Sequence, residues 1–194
     1  MAVRKIPKNY NYVTGGFASR KRTSMAGYES PLEHEYMILL EFDPEVETFE
    51  EQPIRIWFKG ETGRKKPYVP DVLVRYRNAC PELIEVKTTA DIKKNKQRYA
   101  LKFEAAKAHA KEQGWKFRIV TEKDIRGPYL HNLKFLREYR EIEADPKVAR
   151  TAIEILSSSA RGMSVNSLLE KLAGSDQEKL IALPVIWHLV VSGR

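Results

Sequence analysis

Cysteine is almost absent from this chain: Cys80 is the only one in 194 residues. A lone thiol excludes an internal disulfide and any cysteine-built zinc or iron–sulfur cage, and it fits a reducing compartment. Histidine is scarce as well, and His34, His109, His131 and His188 make no metal-ligand spacing. Long apolar runs are missing. The longest near the C-terminus, Leu180 to Val191, is interrupted by Pro184 and His188 and falls short of the ~20 residues a membrane helix needs. No apolar segment of the secretory type stands at the N-terminus, so neither export nor a membrane partner is expected. Acids are missing from the first 28 residues, which hold Arg4, Lys5, Lys8, Arg20, Lys21 and Arg22. Pro7, Gly15, Gly16 and Gly27 break any long amphipathic helix there, which argues against a mitochondrial transit peptide. Gly60 and Gly63 form no phosphate-binding loop, and Ser157-Ser158-Ser159 is no nucleophile elbow.

What remains is a basic, core-forming chain. Hydrophobic residues make up 42% and aromatics 10%, too much for a disordered polypeptide. The formal net charge is +8, and its clustering matters more than its size. Residues 1–29 carry six bases against Glu29. Residues 91–112 carry seven, among them Lys93, Lys94, Lys96 and Arg98, against three acids. Arg64-Lys65-Lys66 sits beside a turn, while acids gather at Glu41 to Glu51 and Glu138 to Asp145. Each basic run alone is more often a solvated face or a basic tail than a binding site; three separate clusters together point to nucleic acid, with Arg20, Lys21, Arg22, Lys65, Lys66, Lys93, Lys94, Lys96 and Arg98 as candidate contacts.

Local patterns give the organisation. Ser30-Pro31-Leu32-Glu33 is a helix start, with Ser as N-cap, Pro at the first position and Glu closing a capping box. The helix runs to about Asp43, where Pro44 stops it. Val46 to Phe58, Tyr68 to Tyr76 and Glu82 to Thr88 read as strands in an antiparallel meander, with Pro53 allowing a bend. Asp91 to Gln113 reads as one long basic helix capped by Gly114, and Trp115 to Val120 as a further strand. A strand–helix–strand crossover would set that strand parallel to its partner and right-handed. Helical Asn132 to Glu143 follows, then a break at Asp145-Pro146 and three helices near 147–158, 164–173 and 176–191. The expected fold is α/β: a mixed sheet with an α-β-β-β-α-β core, followed by a small all-α domain of helix-turn-helix or winged-helix type. The expected domains are a basic segment at 1–29, the α/β domain at 30–144 and the helical domain at 145–194.

The chemistry lies in Pro70-Asp71 and, fourteen residues later, Glu85-Val86-Lys87. Residues two apart on a strand share a face, so Glu85 and Lys87 stand side by side, within reach of Asp71 on the neighbouring strand. An acid and a base on an otherwise apolar strand are costly unless partnered or used. Asp71, Glu85 and the Val86 carbonyl suit Mg²⁺, a hard cation that shares phosphate oxygens and activates water. Lys87 beside such a cation could orient or help deprotonate the attacking water. A plain cross-strand salt bridge has the same sequence signature.

In context the pattern resembles the PD-(D/E)xK nuclease superfamily, a restriction-endonuclease-like fold. Ser30-Pro31-Leu32-Glu33, Glu51-Gln52-Pro53 and Gly114 to Glu122 further resemble the TnsA family, the endonuclease subunit of heteromeric cut-and-paste transposases. The resemblance spans about residues 28–140, and less specifically the C-terminal helices. It implies Glu33, Asp71 and Glu85 as acids of the active site, Lys87 as catalytic lysine, and Glu33, Asp71, Glu85 and Val86 as ligands of Mg²⁺, or of Mn²⁺ in its place. The family often has Gln where Glu85 stands; Glu33 also reads as a capping glutamate, with Glu35 as an alternative. The implied activity is cleavage at the 5′ ends of a transposon, on the non-transferred strand, with DNA ends, a transposase subunit TnsB and an ATPase regulator TnsC as partners, in the bacterial cytoplasm on the nucleoid. A stand-alone restriction or junction-cleaving nuclease and a non-catalytic DNA-binding adaptor are the alternatives.

Overall fold

The computed structural model describes residues 15–22 and 25–193; Arg4, Lys5 and Lys8 of the basic N-terminal segment lie outside them. The chain forms two compact units, Met1–Leu130 and His131–Arg194. The sequence break at Asp145-Pro146 therefore falls within the second unit. Among the described residues no helix is long and apolar enough to cross a membrane.

The first unit opens with a two-stranded ribbon, β1 (Gly15–Phe17) and β2 (Ala26–Tyr28). Helix α1 (Pro31–Phe42) follows and begins as its sequence dictates: Ser30 Oγ accepts from the Glu33 N–H at 3.2 Å, with Pro31 inside the first turn. The central sheet has the order β3-β6-β7-β8, from β3 (Val46–Glu51), β6 (Val72–Tyr76), β7 (Glu82–Val86) and β8 (Lys116–Val120). The first three are antiparallel, and β8 joins β7 in parallel, with Glu85 opposite Ile119. The expected mixed α-β-β-β-α-β core is therefore present.

Three elements differ from the sequence reading. Val46 to Phe58 and Tyr68 to Tyr76 are each two strands, because β4 (Ile56–Lys59) and β5 (Lys65–Tyr68) leave the sheet as a separate ribbon. The two ladders belong to one long hairpin whose register slips once. Glu51 pairs with Val72, and Ile56 with Tyr68, so four residues (52–55) face three (69–71). One surplus residue on one arm is the arithmetic of a β-bulge. Gln52 takes it up at φ +44°, and its N–H donates to the Asp71 carbonyl at 2.8 Å. Pro53 and Pro70 have no N–H with which to continue the ladder.

The long basic helix is likewise two helices, α2 (Thr89–Lys94) and α3 (Lys96–Glu112). Asn95 separates them at φ −113°, ψ 24°. Its side-chain amide donates to Asp91 Oδ1 at 2.7 Å, a local bond that competes with the helical one. Short helix α4 (Glu122–Ile125) then follows β8. Helix α1 lies against β3 and β7, while α3 lies against β7, β8 and β4. On the α3 side Leu73, Leu83 and Phe117 pack with Ala106 and Ala110.

In the second unit α5 (Pro128–Leu136), which begins before it, leads into a 3-10 turn, Arg137–Tyr139. Helices α6 (Pro146–Ser157), α7 (Val165–Leu172) and α8 (Asp176–Ser192) follow close to their expected positions. Their starts are sharp because Asp145, Ser164 and Ser175 each cap them. Ala152, Leu168, Ile186 and Leu189 form the core, and no strand occurs among its described residues. The His188 Nδ1–H donates to the Tyr139 carbonyl at 2.9 Å, and Trp187 meets Phe135 edge-on, so residues 135–139 pack with these helices.

Leu83 is fully buried beneath α3. Leu83→Ala should destabilise the first unit by about 2–5 kcal/mol, seen as an earlier urea transition. A shift worth under ~1 kcal/mol would mean the sheet collapses to fill the cavity.

Candidate active site

The bulge fixes where Asp71 stands. It follows the wholly buried Pro70, at the point where β6 begins. The pairing of Val72 with Ile84, continued by one residue, sets Asp71 opposite Glu85. The Asp71 carboxylate then replaces a strand carbonyl: Oδ2 accepts from the Val86 N–H at 2.7 Å.

Lys87 joins these groups. Its Nζ lies 3.2 Å from Asp71 Oδ2, 3.1 Å from Glu85 Oε1 and 3.0 Å from the Val86 carbonyl oxygen. Asp71, Glu85, Val86 and Lys87 are thus brought together as expected from their spacing.

Glu85 is 1% exposed and has two further partners. Tyr68, the last residue of β5, donates its hydroxyl to Oε2 at 2.6 Å. Lys102 reaches Oε1 at 2.8 Å, with its ammonium 4.2 Å from the Tyr99 ring centroid, 4.8 Å from Tyr68 and 5.0 Å from Phe103. The spacing of α3 explains this second cation. Lys102, Ala106 and Ala110 recur every four residues on one face, and that face covers Leu83 at the alanines and Glu85 at the lysine. The sequence reading placed Lys102 only in a basic run. The signal was there in its i, i+4 relation to two small residues and in aromatic neighbours at 99 and 103.

Glu33 stands apart from the bridged pair. Its carboxylate accepts from the Glu29 N–H at 2.8 Å and from the Ser30 hydroxyl at 2.9 Å, as a capping glutamate does. Burial raises its pKa, against those hydrogen bonds and the attraction of Lys87. It is therefore close enough to share the site's field. Glu35 pairs instead with Arg126, Nε to Oε2 at 2.7 Å. Gln52 donates Nε2–H to Glu29 Oε1 at 3.1 Å, while its buried Oε1 has no hydrogen-bond partner among the described residues.

Electrostatics set the protonation states. Burial, and then the charge of Glu85, push the Asp71 carboxyl up to about 8. Burial works against the Lys87 ammonium, but Asp71 and Glu85 outweigh it and raise its pKa. Lys87 is an ammonium in this state, not a base. Burial and Glu85 also hold the Tyr68 hydroxyl protonated, so it acts as a donor.

The donor set fits a hard cation. No three His, Cys, Asp or Glu side chains converge among the described residues. What does converge is two carboxylates and a main-chain carbonyl, all around one positive centre, the Lys87 ammonium. Three oxygens without nitrogen or sulfur suit Mg²⁺ or Mn²⁺.

The candidate DNA contacts fall into two groups. Lys65, Lys66, Lys93, Lys94, Lys96 and Arg98 are exposed. Lys21 and Arg22 are bonded within the chain: Lys21 Nζ donates to the Leu40 carbonyl at 2.8 Å and to that of Asp43, and Arg22 pairs with buried Glu51. The Arg20 N–H donates to Glu41 Oε1 at 3.0 Å. These bonds pin the β1–β2 region to α1 and β3.

A mixed sheet with an aspartate at a strand start and Glu-x-Lys on the adjacent strand defines a nuclease fold of the PD-(D/E)xK class. Two family models cover most of the chain: TnsA-like endonuclease N terminal at residues 43–122 and TnsA endonuclease C terminal at residues 124–194. The chain belongs to the TnsA endonuclease family. A comparison with curated proteins gave no match.

The Asp71 shift has a testable sign. Its carboxyl titrates at its ordinary value of 3.8 when unfolded and at about 8 when folded. Between those values the folded state holds the extra proton, so stability falls as pH rises. In metal-free buffer, Asp71→Asn should flatten the decline of Tm across about pH 5–8 relative to wild type. Parallel curves would show that Asp71 is already ionised in the folded protein.

Proposed function

We propose that this protein is a divalent-metal-dependent DNA endonuclease that acts as one subunit of a heteromeric transposase. The observation that carries the reading is the convergence of Asp71, Glu85 and the Val86 carbonyl on one cationic centre. The TnsA family membership supports DNA as substrate and a transposition role. In this reading the cleaved strand is the non-transferred one at the 5′ transposon ends. TnsB is the partner that cuts the 3′ ends, and TnsC the ATPase regulator.

Asp71, Glu85 and the Val86 carbonyl would hold Mg²⁺ or Mn²⁺, with Glu33 nearby; the bound cation supplies an activated water and charge stabilisation at the phosphate. The chain's own groups do the rest. The Val86 N–H and Lys87 fix one oxygen of Asp71. Tyr68 and Lys102 fix one Glu85 oxygen each, so that its carboxylate stays in one rotamer. Lys87, as an ammonium, donates to a phosphate oxygen and stabilises the charge building there. It turns to that task once its hydrogen bonds to the two carboxylates are released.

Asp71→Ala, Glu85→Ala and Lys87→Ala should each abolish nicking of transposon-end DNA in Mg²⁺ or Mn²⁺, with partner subunits present and their own cuts subtracted. Wild-type rates from any of them would remove that residue from the site. Lys102→Met keeps most of the aliphatic volume but removes one of the two cations on Glu85 Oε1, leaving Lys87 to hold it. It should slow cleavage by about 10- to 100-fold through misplacement, with the fold retained. An unchanged rate would make Lys102 a packing residue only.

A further inference from the structure

The ribbon of β4 and β5 carries a feature that the cleavage site does not use. Cross-strand partners share a face, so the register divides the ribbon in two. Ile56, Tyr68 and Phe58 pack inward against Leu73, Leu83 and α3, and Trp57 with Pro67 and Lys59 with Lys65 stand on the outer face. That outer face is unusual on three counts.

Trp57 is 58% exposed, although an indole is the side chain with most to gain from burial. Lys59 and Lys65 are a like-charge pair directly across the ribbon, an arrangement that is unfavourable on its own. Arg55, Lys59, Arg64 and Lys65 meet only Glu61 among the acids of this stretch, and among the described residues none of the four pairs with an acid, while Lys66 stands opposite Phe58 on the other face. An exposed aromatic among unneutralised cations is the composition of a surface that binds a polyanion with planar faces.

The position fits as well. Tyr68, at the root of β5, donates to Glu85, and Lys65 lies three residues up the strand, about 10 Å away at ~3.3 Å per residue. That separation puts Lys65 within reach of a DNA strand whose phosphate sits at Asp71 and Glu85.

We propose that the outer face of the β4–β5 ribbon is a DNA-holding arm: Lys59 and Lys65 bind backbone phosphates beside the cleaved bond, and Trp57 packs its ring on a nucleotide. This rests on the endonuclease reading and adds to it an element and a stacking residue. Of the two ribbon faces only the outer one is free to do this, since the inner face is committed to the core.

The test uses the full chain with transposon-end DNA, as duplex and as single strand, in Ca²⁺ so that binding is read without turnover. Lys59→Gln/Lys65→Gln should weaken duplex binding and flatten the slope of log K against log salt by about 1.8, two contacts at ~0.9 each. Trp57→Ala should weaken binding about tenfold with the slope unchanged, and Trp57→Phe should retain most of the affinity. DNA should quench wild-type tryptophan emission and not that of Trp57→Phe. Tighter quenching by single-stranded than duplex DNA would place the ring on an unpaired base; the reverse would place it in a groove. Wild-type affinity, slope and quenching in these variants, in a protein that binds and nicks DNA, would overturn the arm and leave the nuclease standing. A wild-type protein that neither binds nor nicks DNA would overturn both.

Discussion

One ammonium holds the site together. Asp71 and Glu85 face each other across adjacent strands in a mostly buried setting, where two carboxylates of like charge are costly. Lys87 bonds to both and to the Val86 carbonyl as well. Removing one partner from such a cluster leaves an uncompensated buried charge, which is far worse than lacking the cluster altogether. Burial and then the charge of Glu85 push the Asp71 carboxyl up to about 8.

The second cation explains why Glu85 needs more support than Asp71. Asp71 is tied to a main-chain N–H, a rigid partner. Glu85 has a longer side chain and no such tie, and it is held by Tyr68 on one oxygen and Lys102 on the other. Both supports come from outside the sheet, one from the ribbon and one from α3. The position of the carboxylate therefore depends on the seam where ribbon, helix and sheet meet, and the core residues Leu83 and Ala106 bear indirectly on where Glu85 stands.

Much of this was legible in the sequence. Ser30-Pro31-Leu32-Glu33 specified the start of α1, because capping is a local interaction, and the three later helices were read close to their places, though the caps at Asp145, Ser164 and Ser175 were seen only in the structure. Asp71, Glu85, Val86 and Lys87 could be placed together because strand alternation is strict. What escaped was non-local or subtle. The split of two strands into sheet and ribbon depends on a one-residue mismatch between arms that only pairing reveals. Asn95 ended α2 through a side-chain bond to Asp91 that helix periodicity does not encode. Lys102 looked like one more base in a basic run. Lys21 and Arg22 looked like a tail, yet they cap α1 and neutralise Glu51.

The slipped register between the two ladders also has a consequence for how the protein can change length. β3 and β6 are locked to the sheet, and their pairing ends at the bulge. Beyond it, the ribbon closes through its own turn, with the Gly60 N–H bonded to the Arg64 carbonyl. Residues added or lost in pairs at that tip lengthen or shorten the ribbon without moving Asp71 by a single register step. The bulge works as an insulator between a part of the hairpin that tolerates no insertion and a part that does. Homologues can therefore vary the reach of the ribbon over evolutionary time while the carboxylates stay in place.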